Sequence, residues 1–173
     1  VIWSSFVKCY YEICKKKRRN FTYRFVLLPE TIGSIAYLSK FKNIMKKNII
    51  CGYNLTCVGD ERAYSYVTSR DGNTIADYFM DKNLKNIKNF KKYHFIERGS
   101  DERQYCSPGI DLPVCAFSRS KKYKEYHTNK DNFKVVTQKG LMQSFKLMKK
   151  IIDQIENSTF PKANTFCEPN LGK

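Results

Sequence analysis

The sequence predicts an α/β fold, a mainly parallel mixed sheet flanked by helices. Helical and strand-like hydrophobic periods alternate along the chain, which is the rhythm of βαβ units. The run Ile49-Ile50-Cys51-Gly52-Tyr53-Asn54-Leu55 is apolar enough for a strand buried on both faces, as parallel strands usually are. With 173 residues, 42% of them hydrophobic, the chain can bury one real core but not two comfortable ones.

The elements follow in order. Ile2, Trp3, Phe6, Val7, Tyr10, Ile13 and Cys14 make one helical stripe, so a helix is expected over residues 3–16. It closes on the basic run from Lys15 to Arg19, where positive side chains suit the negative end of the helix dipole. Next come a strand at residues 23–28, a helix at 31–41 and a strand at 48–58. Alternation at 63–68 predicts a further strand, and 73–82 a helix opened by a polar cap. A short strand is expected at 93–97, and another, buried, at 112–117 after the turn Ser107-Pro108-Gly109. Leu141, Phe145, Leu147, Met148, Ile151, Ile152 and Ile155 form a last helical stripe, which ends before Pro161 in an irregular tail. Because Val1 falls inside an apolar helical pattern and no Met precedes it, a partial domain is expected.

Composition narrows the class. The net charge is +16, and a charge that large draws a protein toward anionic partners. Yet Lys far outnumbers Arg and recurs in every helix-like segment, as on solvated faces. A nucleic-acid surface would gather Arg and exposed aromatics on one side, so nucleic acid is not the expected partner. No run of eighteen apolar residues occurs and the amino end has no secretory pattern, so no membrane partner is expected. The seven cysteines are irregularly spaced without a C-x-x-C pair, which predicts free thiols in a reducing, cytoplasmic setting.

Four polar clusters follow apolar strands. The strand at 23–28 runs into Pro29-Glu30-Thr31-Ile32-Gly33-Ser34. A carboxylate at a strand's C-terminal end sits where open α/β sheets bind ligands, so Glu30 is a candidate general base; it is equally readable as a first-turn acid of the following helix. Gly59-Asp60-Glu61-Arg62 follows the second strand, and Gly99-Ser100-Asp101-Glu102-Arg103-Gln104-Tyr105 follows Phe95-Ile96. Glu125-Tyr126-His127-Thr128, with Asp131 just beyond, follows the strand ending near Phe117. Parallel strands would bring these loops to one edge. His127 has Tyr126, Thr128 and Asp131 to orient its ring as in a metal site, though an isolated His is also an ordinary surface residue. His94, among Tyr93, Phe95 and Ile96, has no carboxylate neighbour and is the weaker candidate. Asp101, Glu102 and Arg103 also read as a solvated ionic patch.

In this order the pieces resemble the zinc-dependent aminopeptidase superfamily. The motifs are the Glu30 segment, the strand Asn54-Leu55-Thr56-Cys57-Val58-Gly59, and the Ser100-Asp101 loop ahead of Gly109-Ile110-Asp111-Leu112-Pro113. Tyr126-His127-Thr128 with Asp131 completes the series. More narrowly, Gly59-Asp60-Glu61-Arg62, the string from Ser100 to Gly109 and Glu125-Tyr126-His127-Thr128 resemble bacterial aminopeptidase-like proteins in which a winged helix usually follows. The resemblance spans residues 21 to 172. It implies a zinc-exopeptidase-like fold, with residues 1–160 as the C-terminal part of a catalytic domain and 161–173 as a tail or linker toward a further domain.

Residue by residue, the resemblance implies the following. Glu30 falls at the general base, while Thr31 stands where the superfamily has an adjacent ligand acid. Thr56 stands where it has an Asp ligand. His127 matches the last metal-ligand His, and Asp131 the downstream acid. Arg103 and Tyr105 are candidates to bind substrate, and Asp60, Asp101 and Tyr126, with Asp131, to support the site or its loops. Two further ligands, a His and an Asp, lie in the family upstream of the helix with which this chain begins. The implied cofactor is one zinc ion, incompletely held by this chain. The implied substrate is a peptide or amide, a homo-oligomer is compatible, and the chain by itself is expected to be inactive. The competing class is a non-catalytic basic scaffold or nucleic-acid-associated protein, suggested by the charge and the replaced ligand acids.

Overall fold

Two pairs of parallel strands meet at an antiparallel seam. In the computed structural model, which describes residues 18–160 together with Tyr11 and Lys15, the strands are β1 (Gly52–Leu55), β2 (Tyr64–Val67), β3 (Phe90–Tyr93) and β4 (Val114–Ser118), in the order β1-β4-β2-β3. Gly52 pairs with Val114 and Leu55 with Phe117 in the parallel pair β1·β4, and Tyr64 with Phe90 in β2·β3. Ser65 opposite Ser118 and Val67 opposite Ala116 make the antiparallel contact. The helices are α1 (Ile32–Asn48), α2 (Ile75–Leu84), the short α3 (Glu102–Tyr105) and α4 (Gln138–Glu156). The helix expected over residues 3–16 and the tail from Pro161 lie outside the described residues.

β4 is buried along its whole length, and its alternation divides the core. Cys115 and Phe117 point into the larger cluster, with Phe79, Met80 and Leu84 of α2 and Leu147, Met148, Ile151 and Ile155 of α4. Val114 joins a second cluster with Leu38 and Met45 of α1, Phe95, Cys106 and Leu112. The sheet is therefore covered by helices on both faces. α4 is held close by Gly140 and Gly59. A Cβ on Gly140 would strike the Gly59 carbonyl, and one on Gly59 would sit 2.6 Å from Cγ1 of Val136. Thr137 N donates to Gly59 O at 2.9 Å, docking the N-terminus of α4 on the loop after β1.

α2 starts at a reciprocal cap: Asp77 N donates to Thr74 Oγ1, and Thr74 N to Asp77 Oδ2 at 2.9 Å. Thr74→Ala is expected to cost about 1 kcal/mol, the usual worth of such a cap. Urea unfolding at neutral pH measures it, and an unchanged midpoint would show that the cap carries no stability.

Several expected elements are placed differently. Residues 23–28 carry no strand assignment; they run as irregular chain with Val26 and Leu27 37% and 52% exposed. Polar bonds anchor the start of the stretch. Buried Glu156 accepts Tyr23 Oη at 2.6 Å and Asn20 N at 2.5 Å. α1 continues to Asn48, with Lys46 and Lys47 in its last turn favouring the dipole, so the second strand shrinks to Gly52–Leu55. The strand expected at 93–97 is β3 ending at Tyr93, then a 3-10 turn over Phe95–Glu97 capped by His94, whose Nδ1 accepts Ile96 N at 3.3 Å. β2 and β3 run opposite to β1 and β4, so strand ends do not all point one way. The loops after β1 and β4 therefore share one edge of the sheet, and those after β2 and β3 the other.

Candidate functional site

Glu30 stands on a tight and strained turn. Thr31 adopts φ 64° and ψ −69°, and Ile32 N donates back to Glu30 O at 2.8 Å, which closes the rare γ-turn of positive φ. A β-branched residue is unfavourable there and stays only when its surroundings hold it. Gly33 is needed one step later, because a Cβ on it would lie 2.8 Å from Leu28 Cβ and Pro29 Cδ. The holding groups come from the Ser100-Asp101-Glu102 string. Asp101 Oδ1 accepts Thr31 N at 2.7 Å and Ser34 Oγ at 3.0 Å. Ser100 Oγ donates to Glu30 Oε1 at 2.8 Å. Glu102, itself buried, accepts Gly99 N at 2.8 Å, Ser100 N at 3.2 Å and Asn54 Nδ2 of β1 at 3.1 Å. The string thus bridges the Glu30 turn to the sheet.

The loops after β1 and β4 form the other wall. Cys57, just past β1, takes φ 48°, with its Sγ 3.8 Å from Tyr123 Oη. Tyr123 donates to Asp131 Oδ2 at 2.8 Å. Burial, that carboxylate and Cys57 push the Tyr123 phenol well above its ordinary range, so it remains a donor. Tyr126 also titrates higher than usual, through burial and then the charges of Cys57, Glu30 and Asp131. Asp60 is buried and accepts Ser120 Oγ at 2.7 Å, Ser120 N at 3.0 Å and Arg62 N at 2.9 Å, tying the two loops together. Arg62 Nη1 meets Glu125 at 2.8 Å, and that bond holds the exposed Glu125 carboxyl below the usual range.

Hydrogen bonds thus tie Glu30 to Ser100 and its turn to Asp101, and they tie Asp131 to Tyr123 and Asp60 to Ser120 on the loops after β1 and β4. Arg103 is exposed and reaches Thr31 Oγ1 at 3.4 Å. Tyr105 packs half-buried against the second core cluster, where burial and then Asp101 and Tyr37 push its phenol up to about 12. His127 is exposed at φ 58°, its ring stacked on Tyr126 with centroids 3.9 Å apart. Among the described residues no three His, Cys, Asp or Glu side chains are grouped to hold a metal ion. Thr31 and Thr56 offer hydroxyls where carboxylates would be needed. These residues do not by themselves fit a zinc site. Sequence reasoning missed Ser100, Cys57 and Tyr123; for Ser100 the only signal was its place ahead of two acids.

A cleft of about 540 Å³ between α2 and α4 involves none of these residues. Lys82, Lys146, Lys149, Lys150 and Asp153 line it. Lys149 pairs with Asp153 one turn on at 2.6 Å, and Lys82 lies over the rings of Tyr78 and Phe79 in the last turn of α2. These are the solvated faces of two helices. No helix of the described residues is long and apolar enough to cross a membrane.

Comparison with known proteins gives four findings. The family described as a domain of unknown function, DUF4910, matches residues 6–158. A Clostridium acetobutylicum protein, provisionally named as a polysaccharide biosynthesis protein with an aminopeptidase-like domain, is 40% identical over 161 residues. That match covers 91% of this chain and 37% of the relative, so the chain spans little more than a third of that protein's length. A crystal structure from Clostridium acetobutylicum, provisionally named as a peptidase, superposes with a TM-score of 0.81 at 37% identity, over 97% of this chain and 41% of that one. The zinc aminopeptidase BSAP from Bacillus subtilis gives a TM-score of 0.59 at 16% identity, over 72% of this chain and 32% of its own. At that identity the likeness speaks for the fold alone, and it agrees with a mixed sheet flanked by helices.

Proposed function

We propose, from the premise that the chain belongs to the DUF4910 family, that it is part of an aminopeptidase-like hydrolase acting on a peptide or amide bond, with Glu30 as general base. The observation that carries this reading is the Glu30 carboxylate on its strained turn. Oε1 is fixed by Ser100, and the residue is exposed. The aminopeptidase-like relatives supply the reaction class.

The chemistry asked of Glu30 is the transfer of one proton. Its carboxylate takes a proton from the water that attacks the carbonyl carbon, then delivers it to the amine as the C–N bond breaks. Oε2, which accepts no hydrogen bond among the described residues, is the oxygen open to that proton. Arg103, beside the turn, is the candidate to hold a substrate carboxylate or carbonyl. A zinc ion in the full-length protein would draw His127 from this stretch and its other ligands from outside the described residues. One such ion would supply Lewis-acid polarisation of water and carbonyl.

The test is an assay of the full-length protein on aminoacyl p-nitroanilides with free and with acetylated α-amines. Release from the free amine alone supports an aminopeptidase-like activity. Release from neither, with peptides and simple amides also inert, sinks the hydrolase reading and favours the basic scaffold.

A further inference from the structure

We infer that Ser100 is a positioning residue for Glu30, aiming its carboxylate. The inference rests on the base role proposed for Glu30. Ser100 is 8% exposed, and its Oγ donates to Glu30 Oε1 at 2.8 Å across 70 residues of sequence. Its own backbone is fixed, because Ser100 N and Gly99 N both donate to Glu102 Oε1 while Glu102 Oε2 takes Asn54 Nδ2 of β1. The hydroxyl therefore reaches Glu30 from a frame tied to the sheet rather than from a free loop. Asp101, the next residue, takes the N–H of Thr31 at 2.7 Å and so holds the strained turn from the same frame.

A serine hydroxyl bonded to one carboxylate oxygen restricts the rotation of Glu30 and leaves Oε2 without a hydrogen bond among the described residues, so the oxygen asked to take the proton is held in one place.

Steady-state kinetics of the full-length protein test this. Ser100→Ala is expected to lower kcat by roughly tenfold with KM unchanged, because a base free to turn is misplaced while the contacts to substrate are kept. Ser100→Thr keeps the hydroxyl and should restore kcat, and Ser100→Cys, a weak donor of similar size, should fall between. An unchanged kcat in both the Ala and Cys variants, with Glu30→Gln inactive, overturns the inference while the base assignment stands. Full activity in Glu30→Gln removes the base assignment and with it the role given to Ser100.

Discussion

Glu30→Gln in the full-length protein is expected to lower turnover by roughly a hundredfold or more, the scale of a lost general base, while stability stays within about 0.5 kcal/mol of the parent, as for exposed positions. The side chain keeps its shape, and Ser100 Oγ can still donate to the amide oxygen that replaces Oε1. Only proton acceptance is removed. Steady-state kinetics and metal analysis on the same preparation read the outcome. Full activity in Glu30→Gln removes the residue from the mechanism. Loss of bound metal in parallel with activity would instead make Glu30 a ligand. A Ser100→Ala variant made alongside should keep part of its turnover at an unchanged KM, which separates a misplaced base from an absent one.

How far the sequence could see depended on which interactions were local. The stripe from Leu141 to Ile155 and the fully buried β4 were readable because each repeats with its own period, and both form the centre of the core. The capped start of α2 was readable for the same reason, since Thr74 and Asp77 are three residues apart. Residues 23–28 misled because an apolar run alone cannot tell a strand from irregular extended chain. The direction of β2 and β3 was hidden as well, because it is set by the pairing of Ser65 with Ser118, 53 residues away. At the candidate site, Glu30, Asp101 and Asp131 were found as acids following apolar runs. Ser100 was not, because its meaning lies in one bond to Glu30 that no spacing encodes. His127 was read from a motif, yet its ring stacks on Tyr126 and meets no second ligand among the described residues.

Asp77→Ala is expected to be the most damaging single change outside the hydrophobic core, costing about 3 kcal/mol or more at pH 7, since several buried donors lose their acceptor at once. Asp77 is 1% exposed. Its carboxylate accepts Ser69 N at 2.9 Å, Ser69 Oγ at 2.5 Å, Thr74 N at 2.9 Å, Thr74 Oγ1 at 2.7 Å and Cys115 Sγ at 3.0 Å. It so fastens the loop between β2 and α2 to the central strand β4. Burial works to raise its pKa, but the bonds from Ser69, Cys115 and Thr74 outweigh it, and the carboxyl is held below the ordinary carboxylate range. Burial and the same charge keep the Cys115 thiol protonated as a donor. A folded-state pKa below the unfolded one means stability that is present above the unfolded value, about 4, and is lost as pH falls through the folded value. Asp77→Asn, neutral at every pH, removes that dependence. The gap in urea midpoint between parent and Asp77→Asn should therefore be wide at pH 7 and narrow steadily below pH 4. A gap of the same size at pH 7 and pH 2 would mean that the charge of Asp77 contributes nothing, and that its hydrogen bonds are as good to the neutral carboxyl as to the carboxylate.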